Sequence, residues 1–306
     1  MSIESCTTFL RTFTSSDELK QQMKAVTDPK EVIAIGKRYG YTFDTQDIIA
    51  ASASLGAELS ASEPSTPAQA NADITSAFYH YEFGIEQIPG FEEVARELQH
   101  LKIKPATVNL SLYEKSYREE DFQFTSLSPA APEFNQRYEE VMHPHWQDAE
   151  SGSDFSRRDF HLVNIDQHVN HPSYEQYFQA KTRLIASLET FFDSEVRFSG
   201  SMWYPPFAYR LWHTNETQAG WRMYLIDFDE FAGNPKGTSF FRYMNPQSKE
   251  IVTLEERPKI VRFFKIEQEK EKLFWHCIVN ATTRNRWSFG FVVPDNWMEQ
   301  IAHLIK

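Results

Sequence analysis

Apolar and polar positions alternate along most of the chain that follows Arg197. A period of two is typical of β-strands, because successive side chains point to opposite faces of a sheet. Large aromatic residues are concentrated in the same part of the chain. Seven segments separated by turn residues show this pattern, and they are FAYRLWHTN, GWRMYLIDF, GTSFFRYM, EIVTL, KIVRFFKI, LFWHCIV and RWSFGFVV. Seven strands without a helix between them predict an antiparallel barrel or sandwich.

Residues 74–195 show a mixed pattern in which two segments have helical periodicity. An amphipathic helix follows the Pro-Gly turn after Ile88, and a long helix runs over residues 173–192. Residues 105–113 look extended, and a short helix is expected after Asn296. We expect the helices of this part to support the strands that follow.

The first 52 residues predict three short helices with a thin apolar seam. The stretch from Ala50 to Asp73 is rich in Ala, Ser, Pro and Thr, which is typical of a flexible linker. We therefore divide the chain into a helical domain over 1–52, a linker over 53–73, and a domain over 74–306 that consists of helical support over 74–195 and a β core over 196–295.

The acidic composition makes two classes of partner poor candidates. The chain has 306 residues with 43 acidic against 31 basic side chains, and its formal net charge is −12. This charge repels nucleic acid and anionic membrane surfaces. The two cysteines, Cys6 and Cys277, cannot form a disulfide framework, and no targeting segment or long apolar stretch occurs. A cytoplasmic protein is predicted.

Two histidines lie in predicted strands with neighbours that suit a metal site. In a regular strand His213 and Asn215 project from one face, together with Tyr209 and Leu211. Two side chains on the same face of a strand can bind one metal ion together. His276 follows sixty-three positions later, in the segment LFWHCIV.

An arginine after the second histidine suits a carboxylate. Arg286 begins the last predicted strand, and Ser288 lies two positions on, on the same face. We expect His276 and Arg286 to face each other across a hairpin whose turn is residues 281–285. A guanidinium beside a hydroxyl can clamp a planar carboxylate.

This set of residues resembles the iron- and 2-oxoglutarate-dependent oxygenase superfamily, which includes the aspartyl/asparaginyl and prolyl hydroxylases. The family pattern is His-X-Asp/Glu, a distal His, and an Arg followed two positions later by Ser or Thr. The resemblance covers roughly residues 195–295. It implies an α+β fold in which helices buttress a double-stranded β-helix, a jelly-roll or cupin-like barrel, and the small all-α domain precedes it.

The resemblance also implies cofactors and roles. His213 and His276 would hold Fe(II), with Asn215 at the place of the family's carboxylate. Arg286 and Ser288 would anchor 2-oxoglutarate, and Arg222 would assist the co-substrate or form a surface salt bridge. The implied activity is hydroxylation of a peptide or protein side chain, or of a small natural product.

The chain departs from the family pattern at Asn215, since an amide offers a neutral oxygen where the family has an anionic one. Glu216 is an alternative ligand if the backbone bulges there. Arg286 could instead pair with a core carboxylate such as Asp227. A non-catalytic cupin-like protein that binds a ligand or peptide in a degenerate metal site is therefore the alternative to a dioxygenase.

The remaining histidines and one acidic run carry no predicted chemistry. We expect the run Glu119–Asp121 to be a solvated surface. Loop or surface positions are expected for the histidines at 143, 145, 161, 168 and 171.

Residues 1–50 resemble the Nif-eleven leader-peptide domain found on precursors of ribosomally made, modified peptides, especially in cyanobacteria. The matching features are listed from the N-terminus as Phe9, Asp17-Glu18-Leu19, Asp28-Pro29, Ile35-Gly36, Gly40 and Phe43. The resemblance implies contact with peptide-modification partners through residues 1–52. A helical appendage for dimerisation or tethering is the alternative.

Overall fold

The structure is a computed structural model that describes residues 3–16, 19, 22, 29–45, 47–48, 51, 79–142, 157–230 and 237–302. The predicted linker over 53–73, the histidines at 143 and 145, and most of the predicted second helix lie outside these residues. Two compact units result: Met1–Tyr81, Gln87–Pro89 and Asp295–Lys306 form the first, and Glu82–Glu86 and Gly90–Pro294 form the second.

The first unit contains a small helical core. Helix α1 spans Ile3–Ser15 and helix α2 spans Pro29–Arg38. The buried side chains of this core are Cys6, Phe9, Leu10, Leu19, Val32, Ile35, Phe43, Ile48 and Ala51. Gly36 lies directly against Phe43, since a Cβ atom at this glycine would overlap the Phe43 ring. The Ile35-Gly36 and Phe43 features of the sequence thus belong to one packing contact.

Replacing Gly36 by alanine is expected to destabilise this core by about 1–3 kcal/mol, because an added methyl group forces the Phe43 ring out of its place. Hydrogen exchange of the full chain measures the effect as lost amide protection over residues 29–43. Ala34→Ser, at an exposed position of the same helix, is the control and should leave protection unchanged. Equal protection in G36A and the wild type would contradict the described packing.

Five helices of the second unit precede or interrupt its strands. They are α3 (Glu92–Leu101), α4 (Leu110–Ser116), α5 (Glu119–Phe124), α6 (Phe134–Met142) and α7 (Tyr174–Phe192). Short 3₁₀ turns span Ile85–Gln87, Ile165–Gln167 and Lys270–Lys272. In the first unit, helix α8 spans Trp297–Ala302, as predicted. Among the described helices, none is both long enough and apolar enough to cross a membrane.

The strands form two sheets. Their bounds are β1 His80–Gly84, β2 Phe160–His161, β3 Val163–Asn164, β4 Arg197–Tyr204, β5 Tyr209–His213, β6 Gly220–Phe228, β7 Ser239–Met244, β8 Ile251–Glu255, β9 Ile260–Ile266, β10 His276–Asn280 and β11 Arg286–Val292. The six-stranded sheet has the order β1-β9-β6-β11-β4-β3, and the five-stranded sheet has the order β2-β5-β10-β7-β8.

The chain from β4 to β11 pairs like one long hairpin folded over on itself. Strand β4 pairs with β11, β5 with β10, β6 with β9 and β7 with β8, all antiparallel. These pairs alternate between the two sheets. The result is a mixed α/β structure whose antiparallel sheets have a jelly-roll-like arrangement.

The seven predicted strands correspond to β5–β11, but several local predictions were wrong. Strand β4 was missed because its sequence, RFSGSMWY, begins with small and polar residues. Residues 105–113 are not extended, since α4 begins at Leu110 and the Asn109 side chain caps it by accepting from the Leu112 amide.

The acidic run is a helix with a buried member rather than a solvated surface. Asp121 is fully buried and accepts hydrogen bonds from the Arg158 guanidinium and from the Tyr209 hydroxyl. His161 is also buried, and its ring stacks between Tyr113 and Tyr209. Both residues hold the helices against the outer face of β5.

Candidate active site

A cleft lies between the inner faces of the two sheets. The space in this cleft, counted together with the open solvent at its mouth, is about 670 Å³. The six-stranded sheet contributes Met202, Tyr204, Arg222, Tyr224, Arg262, Phe264, Arg286 and Ser288, and the five-stranded sheet contributes Arg210, His213, Phe241, His276 and Ile278. All of the predicted site residues except Glu216 line this cleft, and Glu216 is exposed.

A β-bulge in β5 decides which of its side chains face the cleft. His213 pairs with His276, but Arg210 rather than Leu211 pairs with Ile278. Three residues on β5 therefore span the same distance as two on β10, which reverses the parity of β5. Arg210 and His213 share the inner face, whereas Tyr209 and Leu211 pack in the outer core. The predicted common face of His213, Tyr209 and Leu211 was wrong for this reason.

The two histidines are held side by side in one tautomer. Their ring centroids are 4.0 Å apart. Nδ1 of His213 donates to the Leu211 carbonyl at 2.8 Å, and Nδ1 of His276 donates to the Phe274 carbonyl at the same distance. A proton on Nδ1 leaves the Nε2 lone pair of each ring for a ligand.

Both rings are neutral at physiological pH. Burial, opposed by the hydrogen bond to Phe274, lowers the pKa of His276 to about 3. Burial and then the positive charge of Arg210 hold the pKa of His213 well below its usual range. Neutral imidazole is the form that binds a metal ion.

Asn215 lies near His276, but not because it shares a strand face with His213 as predicted. Strand β5 ends at His213, and Asn215 has a left-handed backbone with φ of 59°. Its Nδ2 lies 3.4 Å from Nε2 of His276, and its Oδ1 accepts from Nη2 of Arg210 at 3.5 Å. The amide thus lies between the His276 ring and the Arg210 guanidinium.

Arg286 does not face His276 across a hairpin. Strand β11 lies between β6 and β4 in the six-stranded sheet, while β10 belongs to the other sheet. The two side chains reach the cleft from opposite walls. The predicted hairpin was wrong because residues 281–285 carry the chain from one sheet to the other.

A buried carboxylate that the sequence analysis missed holds Arg286. Nε and Nη2 of Arg286 donate to the two oxygens of Glu256 at 2.6 and 2.8 Å. Asp227, the predicted alternative partner, binds Lys102 at 2.7 Å instead. Within the described chain, Nη1 of Arg286 is buried without a hydrogen-bond acceptor. The Nη1 group of Arg286 is therefore available to a carboxylate ligand. Ser288, two positions later in the same strand, also lines the cleft.

Glu256 joins two arginines in one network. Nη1 of Arg262 donates to Glu256 at 2.8 Å, and the rest of that guanidinium binds Glu82. The Ser239 hydroxyl also donates to Glu256 at 2.8 Å. Burial alone would raise the pKa of Glu256, but the charges and hydrogen bonds of Arg286 and Arg262 outweigh it and lower the pKa to about 2.

Arg222 is a lining residue and not part of a surface salt bridge. Its side chain is buried on β6 and donates through Nη2 to the Gln218 carbonyl. Its Nη1 is buried and has no acceptor among the residues that the structure describes. The surface alternative for Arg222 was therefore wrong.

The donor set suits a metal ion only in part. Two imidazole nitrogens are good ligands for a divalent transition metal, and the Asn215 amide offers a neutral oxygen if it turns. Within the described ranges, no group of three or more His, Cys, Asp or Glu side chains is placed to hold a metal ion. Four arginines line the cleft and no acidic side chain does. A cation would bind here most readily together with an anion.

Several lining residues escaped the sequence analysis. Arg262 is a charge at an apolar position of a predicted strand, and this pattern could have revealed it. Arg210 reaches the cleft only through the bulge in β5, which strand periodicity does not predict. Glu256 lies in the turn after β8 and shows no such pattern. Only the folded chain brings it to Arg286.

Residues 1–48 match the family described as the Nif11 domain, which confirms the resemblance drawn for the N-terminal residues. No curated protein matches the chain at a significant level.

Similar solved structures include a prolyl-4-hydroxylase from Pseudomonas putida, at 13% identity over 40% of this chain and 64% of that one, with a TM-score of 0.26. An oxidoreductase of the 2OG-Fe(II) oxygenase family from Burkholderia pseudomallei matches at 13% identity over 42% of this chain and 62% of that one, with a TM-score of 0.29. A dioxygenase for auxin oxidation from rice matches at 11% identity over 81% and 78%, with a TM-score of 0.31.

Of these three, the Burkholderia protein is the one described as a member of the 2OG-Fe(II) oxygenase family. The chain spans less than two thirds of the length of the first two. TM-scores of this size carry no argument about function, so the architecture rests on the strand pairing of the chain itself.

Replacing Glu256 by glutamine is expected to destabilise the protein by about 3–5 kcal/mol, because two buried guanidinium groups lose their shared carboxylate. The low folded pKa of Glu256 means that its contribution is present above the unfolded value near 4.5 and is lost as the pH falls towards 2. Urea unfolding at several pH values measures both effects.

The adjacent and exposed Glu255 provides a matched control. Glu255→Gln should change stability little and keep the acid dependence of the wild type. A stable E256Q protein with the same loss of stability between pH 4.5 and 2 would show that the network does not hold the cleft together.

Proposed function

We propose that strands β4–β11 form a double-stranded β-helix that acts as an Fe(II)- and 2-oxoglutarate-dependent dioxygenase, and that it hydroxylates its substrate. Counted from β4, the first, eighth, third and sixth strands neighbour each other in one sheet, and the second, seventh, fourth and fifth in the other. A long hairpin wound into two facing sheets produces this order, which supports the proposed barrel.

One observation carries the functional proposal. The rings of His213 and His276, each with its proton on Nδ1 and none on Nε2, line a cleft whose opposite wall holds a guanidinium N–H without an acceptor among the described residues. Neutral imidazoles suit a transition metal, and the N–H of Arg286 suits a carboxylate oxygen. An arrangement that holds a metal ion and a dicarboxylate at once requires both features in one cavity.

The residues have distinct roles in this proposal. His213 and His276 would hold Fe(II), and the amide oxygen of Asn215 or a water molecule would take the third place. Bound iron of this class supplies the activation of dioxygen for hydroxylation of a C–H bond. Arg286 and Ser288 would orient the far carboxylate of 2-oxoglutarate.

The positive cleft couples the binding of metal and co-substrate. Four arginines line the cleft, and its metal ligands carry no negative charge. A divalent cation alone would be repelled by the nearby guanidinium groups, whereas a cation bound together with a dianion adds no net charge. We therefore expect 2-oxoglutarate to raise the affinity for iron.

The N-terminal unit supports a peptide as the substrate. We propose that residues 1–52, which include the Nif11 match, bind a peptide-modification partner or deliver the peptide that the second unit hydroxylates. A small natural product is the other substrate class.

A second function is favoured by the contacts of Asn215. Its Nδ2 points to Nε2 of His276 and its Oδ1 binds Arg210, so the amide satisfies both neighbours without a metal ion. In this alternative the cleft is a non-catalytic, cupin-like site that binds a dicarboxylate or an acidic peptide. Thermal stabilisation by 2-oxoglutarate that does not depend on metal would favour it.

Anaerobic titration of the full chain with Fe(II) tests the main proposal. Binding is expected to be weak alone and to tighten by roughly tenfold or more with 2-oxoglutarate, because neutralising one nearby charge is worth several kcal/mol at an effective dielectric constant of about 20. Oxygen should then yield succinate even without substrate. His276→Ala should abolish both iron binding and succinate formation.

His171→Ala, which removes a half-buried histidine remote from the cleft in sequence, is the control and should retain both properties. Absence of iron uptake with and without 2-oxoglutarate in the wild type would contradict the proposal.

Replacing Asn215 by aspartate tests whether this position is a ligand. The added negative charge beside His276 should tighten Fe(II) binding by at least roughly tenfold in the absence of 2-oxoglutarate. Gln218→Glu adds the same charge at another lining position and should give a smaller gain. Equal gains in the two variants would mean that charge alone, and not ligation at residue 215, is responsible.

A further inference from the structure

Of the four arginines that line the cleft, two are balanced by carboxylates and two are unbalanced, which here means that no carboxylate among the described residues pairs with them. Arg262 and Arg286 share Glu256, and Arg262 also binds Glu82, so two carboxylates neutralise these two arginines. The other two lining arginines form no ion pair in the ranges that the structure describes. A buried charge without a counter-charge is costly, so these two are candidates for an anionic ligand.

Arg210 is the first unbalanced cation. The bulge in β5 turns it into the cleft beside His213. Its polar contact is the neutral Asn215 oxygen at 3.5 Å, and its guanidinium lies 5.0 Å from the centre of the Phe160 ring. Its Nε is buried and lacks an acceptor within the described chain.

Arg222 is the second unbalanced cation. It lies on the inner face of β6, opposite Phe264 of β9, and only 3% of it is exposed. The Gln218 carbonyl accepts from its Nη2, and its buried Nη1 has no acceptor in the described part of the protein. A backbone carbonyl satisfies one N–H but does not neutralise the charge.

Tyr224 lines the cleft together with both arginines. It lies two residues from Arg222 on the same face of β6, and burial raises the pKa of its hydroxyl. The charges of Arg210, Arg222 and Arg286 all act in the opposite direction on this pKa. All four side chains line the same cleft.

We propose that Arg210 and Arg222 form a second anion site in the cleft, and that this site binds a carboxylate of the substrate. This inference rests on the proposed function. The metal ion and the dianionic co-substrate cancel each other's charge, so the two arginines stay unbalanced until a further anion arrives. Arg222, which the sequence analysis placed with the co-substrate, is assigned to the substrate instead. An acidic side chain of a peptide, or a small carboxylic acid, has the required chemistry.

Calorimetry on the full chain, loaded anaerobically with Mn(II) and 2-oxoglutarate, tests this site with two matched probes. The probes are N-acetyl-glutamate N-methylamide and its glutamine counterpart, which differ in one charge. The wild type should prefer the glutamate probe by roughly tenfold or more, and Arg210→Gln or Arg222→Gln should remove this preference. Arg137→Gln, on the exposed face of α6, should leave it unchanged.

Arg210→Lys serves as the second variant because it retains the charge, and it should keep most of the preference. Equal binding of the two probes to the wild type would overturn the proposal. It would also be overturned if Arg210→Gln and Arg222→Gln weakened binding of 2-oxoglutarate and not of the glutamate probe. The assignment to a carboxylate would be overturned if inorganic phosphate bound this site more tightly than the glutamate probe does, as measured by displacement of the probe.

The proposed function can fail separately. If the wild type binds no 2-oxoglutarate, the dioxygenase proposal is wrong. The preference for glutamate over glutamine, measured without metal and co-substrate, then still decides whether Arg210 and Arg222 bind a carboxylate.

Discussion

A positive charge buried between two sheets must be neutralised nearby, and carboxylates of the described segments do so for only half of the arginines that line the cleft. Glu256 and Glu82 compensate Arg262 and Arg286 through short, charge-assisted hydrogen bonds. The same positive field, added to burial, keeps the two histidines neutral. The chemistry of the cleft thus follows from how these charges are distributed.

The backbone supplies this distribution through two local departures from regular structure. The bulge in β5 brings Arg210 to the face of His213, and the left-handed residue at 215 returns an amide to His276. Strand alternation continues undisturbed in β6, β10 and β11. Most of the lining can therefore be traced to a period of two. The exceptions are β5 and β4, because the register of β4 against β11 shifts between Gly200 and Phe198.

The sequence predicts those parts of the site that depend on local patterns, and it misses those that depend on contacts between residues far apart in the chain. The histidines and Arg286 could be found because they recur in strands with a known spacing. Glu256 could not, because it lies thirty residues before Arg286 and meets it only through sheet pairing. The bulge could not be predicted either, because it appears only in the pairing of β5 with β10, and the sequence of β5 alone does not show that pairing. Local periodicity identified β5–β11, whereas β4, with glycine and serine in its first half, needed its neighbours β3 and β11.

The central claim is that the cleft holds a metal ion and a dicarboxylate together. Anomalous diffraction from crystals grown anaerobically with Mn(II) and 2-oxoglutarate tests it most directly. The account predicts an anomalous peak between Nε2 of His213 and Nε2 of His276, with a carboxylate of the same ligand at Nη1 of Arg286. A dicarboxylate in the cleft without that peak, or manganese bound elsewhere, would contradict it.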